Sequence, residues 1–187
     1  MLGDKERYND YEYCGRVFEN SALESVVIPS TLEVLEELTF CGCKNLASVV
    51  FAEGSRLREI RDSCFASTAL KTFEAPQSLR KIESGAFNFC DSLKRVVLNE
   101  GLETVGTENE ESNDNGAFKL SGIKEIVIPG TLAKLSKKSF EDCKFLERVW
   151  VEQHCKIRIA DYVQSDVDMR VFRAGDKIPL SSAEKDE

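Results

Sequence analysis

The residues able to carry chemistry are few: seven cysteines and one histidine among 187 residues. A nucleophilic thiol needs a base beside it and a third group to orient that base. His154 is followed directly by Cys155, but neighbours on an extended segment point to opposite faces. His154 therefore reads as a surface or cap residue. No catalytic residue is assigned, and the chain is not read as an enzyme. The cysteine count is odd, with no C-x-x-C pair and no N-x-S/T sequon. That pattern fits free thiols in a reducing compartment better than a disulfide framework or a zinc site. Four carboxylates, Glu108, Glu110, Glu111 and Asp114, crowd the stretch "GTENEESNDNG". Calcium favours such oxygen ligands, but its loop spacing and terminal bidentate Glu are missing. The stretch reads as a solvated loop, with a partner-contact loop as the alternative. Neither a metal nor a cofactor is expected.

Composition narrows the class. The formal charge is −8, which argues against a nucleic-acid binder with its basic stripe. No apolar run approaches the ~18 residues that mark a membrane span. The N-terminus, "MLGDKERYNDYEY", is charged where a secretion signal is apolar. The chain as written is expected to be cytoplasmic.

The elements that position these residues emerge from a repeat. Phe18, Phe40, Phe65, Phe87, Phe118 and Phe140 recur at steps of 22, 25, 22, 31 and 22. Each opens a segment such as "AFNFCDSLKRVVL" or "AFKLSGIKEIVIP". "LEVL", "LREI", "LRKI" and "LAKL" precede four of them. Two forms alternate. One reads F-x-x-[ST]-x-[LI] with a later Pro, at Ser21, Thr68 and Ser121. The other reads F-x-x-C-x-x-L without it, at Cys43, Cys90 and Cys143. Apolar residues two apart at the segment's end mark a strand with one buried face. One such coil cannot offset its own ordering entropy, so the coils must stack.

Stacking settles the cysteine question. Cys43, Cys90 and Cys143 recur two coils apart, ~10 Å at strand spacing, beyond disulfide reach. They read as small inward wedges in the core. Cys41, just after a Phe, is the more exposed thiol and the better candidate for adventitious oxidation.

The pattern resembles the BspA-type leucine-rich repeats over roughly residues 13–151. The resemblance implies a leucine-rich-repeat solenoid, with a parallel sheet on one face and short strand or helix turns on the other. It also implies relatives in surface and adhesion proteins, and hence a possible place at the cell surface. Residues 1–12 are expected to form a cap or loose segment, 13–172 the solenoid with a C-terminal cap strand, and 173–187 a polar tail.

If Val26 and Ile28 face inward, the residue between them faces out. That register exposes Val27, Val50, Glu74, Val97, Val127 and Trp150. Beside them run Ser25, Ser48, Thr72, Arg95, Glu125 and Arg148. Solvated strand faces usually alternate with polar residues. An apolar row ending in Trp150 and flanked by Arg95 and Arg148 is the expected protein-binding face. The expected partner is another protein. Self-assembly into a homo-oligomer is the alternative; nucleic acid and membrane insertion are not expected.

Overall fold

A computed structural model describes residues 15–106 and 116–178. The acidic stretch, the first twelve residues and most of the polar tail lie outside them. The chain winds as a solenoid in which each coil contributes strands on two sides. In chain order these are β1 (Ser25–Ile28) and β2 (Val34–Leu35), then β3 (Ser48–Phe51) and β4 (Glu59–Ile60). Next come β5 (Thr72–Glu74) and β6 (Lys81–Ile82), then β7 (Arg95–Val97) and β8 (Thr104–Val105). The last are β9 (Glu125–Ile128), β10 (Lys134–Leu135), β11 (Arg148–Glu152) and β12 (Asp168–Phe172). The two-residue strands form one continuous parallel sheet, β2-β4-β6-β8-β10. The longer strands form two parallel sheets, β1-β3 and β5-β7-β9-β11-β12. Helix is nearly absent among the described residues, where only Ile159–Asp161 makes a short 3-10 turn.

The repeat residues meet inside. Phe18, Phe40, Phe65, Phe87, Phe118 and Phe140 stack face to face along the axis, with centroids 5.3–5.9 Å apart. The coil turns sharply two residues after each Phe. Asn20, Gly42, Ser67, Phe89, Leu120 and Asp142 occupy that corner, all in left-handed backbone with φ of 56–73°. Asn, Gly and Asp tolerate this geometry. At Gly42 a Cβ would also meet the Asn20 side chain at 2.1 Å.

The alternating forms have a hydrogen-bonding cause. The thiol of Cys43 donates to the Phe18 carbonyl one coil back (3.0 Å), Cys90 to Phe65 (3.1 Å) and Cys143 to Phe118 (3.0 Å). Ser21, Thr68 and Ser121 of those same preceding coils stand 3.2, 3.4 and 3.4 Å from the three sulfurs. The inward cysteines are thus polar ties between coils as well as wedges. Burial pushes the Cys90 thiol up to about 11, so near neutral pH it keeps the proton that it donates.

Candidate functional site

The solenoid brings all eight predicted residues onto one face. Val27 lies beside Val50 in the first sheet. Glu74, Val97, Val127 and Trp150 lie in register across the second. Arg95 and Arg148 flank them, with Glu125 paired between the two.

The row is not the evenly exposed stripe that alternation predicts. Val27 and Val50 are 66% and 53% exposed, and Glu74 is exposed too. Val97, Arg95 and Arg148 are half-buried. Val127 and Trp150 are covered, at 4% and 8%. The physical reason lies in the indole. Its Nε1–H donates to Glu125 Oε1 on β9 at 2.7 Å, so the ring folds back over its own sheet. Arg170 sits 6.0 Å from the ring centre on the other side. Arg148 is held between Glu125 (3.3 Å) and Asp168 (3.4 Å), and Arg95 reaches Glu74 at 3.4 Å. The C-terminal half of the row is therefore a closed polar and aromatic network. The free apolar part is Val27 with Val50.

The other predicted residues sit apart from this face's chemistry. Cys43, Cys64, Cys90 and Cys143 are buried free thiols, while Cys41 and Cys155 are half-buried. His154 does not pair with Cys155. Its ring nitrogen lies 3.0 Å from Glu152, and the Cys155 thiol points to the Ile157 carbonyl at 3.8 Å. No cluster of three or more metal-ligating side chains occurs among the described residues. None of their helices is long and apolar enough to cross a membrane.

Sequence reasoning missed other exposed apolar residues. Phe89 and Phe145 are 51% and 61% exposed, and Lys94 lies 5.7 Å over the Phe145 ring. The signal for Phe89 was a bulky side chain at a corner that Asn, Gly, Ser or Asp fills in four other coils. Met169 and Val171 of β12 are also exposed. They continue the inward rows of Val149 and Val151 and leave an exposed apolar edge on the last strand among the described residues.

The repeat pattern and the stacked coils define a leucine-rich-repeat protein. The pattern described as "BspA type Leucine rich repeat region" matches in six copies over residues 14–147 and 107–170, so the chain belongs to that family. Its fold is similar to a leucine-rich repeat protein from Eubacterium ventriosum, with TM-score 0.62, 23% identity and 73% of this chain covered. It is also similar to a leucine rich cell surface protein from Faecalibacterium prausnitzii, with TM-score 0.50, 22% identity and 73% covered. The chain spans 34% and 41% of those two proteins. No curated protein matches the sequence. Repeats of this family generally mediate protein–protein contacts.

Proposed function

We propose that the chain is a non-catalytic interaction module that binds another protein through the strand face, centred on Val27 and Val50. One observation carries the reading: two β-branched side chains stand more than half exposed, side by side, on paired strands. The backbone ladder beneath them is rigid, so docking orders few groups and the entropy loss is small. Display at a cell surface belongs to the same proposal, by likeness to the F. prausnitzii protein.

The test is capture of a partner by purified chain, compared with the double variant Val27→Glu, Val97→Lys. Val97→Lys places a cation beside Glu74, so the fold should tolerate it. Capture is expected to fall at least tenfold while circular dichroism stays native. Unchanged capture refutes the strand face. Light scattering after gel filtration runs in parallel. A dimer dispersed by Val171→Glu would move the interface to the edge of β12 and make self-assembly the function.

A further inference from the structure

The two long-strand sheets are separate because β3 and β5, though in consecutive coils, do not pair. Every other pair of consecutive long strands does. The coils stay joined on the other side, where β4 pairs with β6 and β2 with β4. They also stay joined along the phenylalanine column. The break is thus a slot on one face, closed at its lower end by the Lys71 N–H to the Ala47 carbonyl (3.4 Å).

Its cause is legible in the inward rows. The position held by Val26, Val49, Val96, Ile126 and Val149 carries Phe73 here. The next inward position carries Phe51 in the adjacent coil. These two rings meet edge to face at 6.1 Å, and Phe73 also leans on Phe87 at 4.5 Å. Two aromatic rings stand where aliphatic side chains of smaller volume would let the strands close. The loop that follows β3, "AEGSR", holds extra residues at the same point. The result is a cleft of about 520 Å³ lined by Val50, Phe51, Ser55, Thr72, Glu74 and Asn99 among others.

We propose that this slot takes an extended peptide segment of a partner, which lies along it as an added strand. The walls are two strand edges that do not form a ladder with each other. An extended backbone offers the alternating N–H and C=O groups that such edges recognise. Val50 and Phe51 give an apolar wall and Thr72 a polar contact, while the Asn99 amide nitrogen donates to the Ala75 carbonyl and the Ser55 hydroxyl accepts from the Leu57 N–H. Glu74 stands exposed at the mouth, paired with Arg95, in a chain of charge −8, so the segment is not acidic. The proposal deepens the strand-face reading and rests on it, because the slot opens on that face beside Val50.

The experiment pans a phage-displayed library of random linear peptides on the intact chain. Recovered sequences are then measured as synthetic peptides by fluorescence anisotropy. Binders poor in Asp and Glu are expected. Methylating alternate backbone nitrogens should weaken them at least tenfold, and Val50→Lys, at an exposed site, should do the same. Bound peptide should slow amide exchange within residues 49–51 and 72–74, while Ala52, Lys71 and Ala75, whose N–H groups already bond within the protein, serve as internal controls. The slot is refuted by a library that yields no binder, by protection elsewhere, or by indifference to N-methylation. It is equally refuted if these amides are already protected by self-association that dilution reverses. Val27→Glu, Val97→Lys separates the two readings. Peptide binding with partner capture intact overturns the strand face alone. Lost capture with no peptide recovered overturns the slot alone.

Discussion

Phe87→Ala is expected to lower the unfolding free energy by about 3–5 kcal/mol, the range for removing a fully buried aromatic ring. Phe87 is completely buried. Its ring lies 5.4 Å from Phe65, 5.3 Å from Phe118 and 4.5 Å from Phe73. In a solenoid each coil is stabilised by its two neighbours, so one deletion weakens two interfaces. Phe18 provides the control. It stacks only on Phe40 among the described rings and is 42% exposed. Its loss should cost about 1–2 kcal/mol, in line with partial burial. Urea unfolding followed by circular dichroism measures both. Equal losses would mean that the column does not transmit packing from coil to coil.

Trp150→Glu is expected to destabilise by about 3–5 kcal/mol, the scale for removing a large buried aromatic side chain. The new carboxylate would face Glu125, itself only 2% exposed. It would also remove the indole N–H that Glu125 accepts. Val27→Glu, at the same register position two-thirds exposed, should change stability by no more than about 0.5 kcal/mol. Parallel denaturation curves decide the matter. If Trp150→Glu unfolds like wild type, the indole does not cover the sheet, and Trp150 returns to the binding face.

The contrast marks how far the sequence could be read. The coil period and the inward rows follow from spacing alone, because a fixed step of side chains must meet in one core. Alternation also put the eight face residues at matching register positions of the long strands. It could not tell what a large side chain does after it leaves the backbone. Trp150 starts outward and folds back, and nothing in a period of two encodes that. The slot was hidden for a related reason. The extra residues after Phe51 appeared as length, and Phe73 as one more apolar residue in an apolar row. Lost pairing shows only when the volumes of Phe51 and Phe73 are set against each other. Burial alone makes the cysteines wedges. Their second role was visible in the spacing: Ser21 to Cys43, Thr68 to Cys90 and Ser121 to Cys143 are each 22 residues apart.

Those three ties set a counting rule for the chain. They join the first coil to the second, the third to the fourth and the fifth to the sixth. Inside each joined pair the step is 22, from Phe18 to Phe40, Phe65 to Phe87 and Phe118 to Phe140. Between pairs it drifts to 25 and 31. The slot falls at the first of these joints and the acidic stretch at the second. Length is constant within the tied pairs and varies between them, although at the first joint the buried Cys64 thiol also bonds back to Thr39 and Phe40 of the preceding coil. An added single coil would set thiol beside thiol or hydroxyl beside hydroxyl. In this chain both runs of extra residues, one after Phe51 and one before Phe118, fall at the joints between tied pairs.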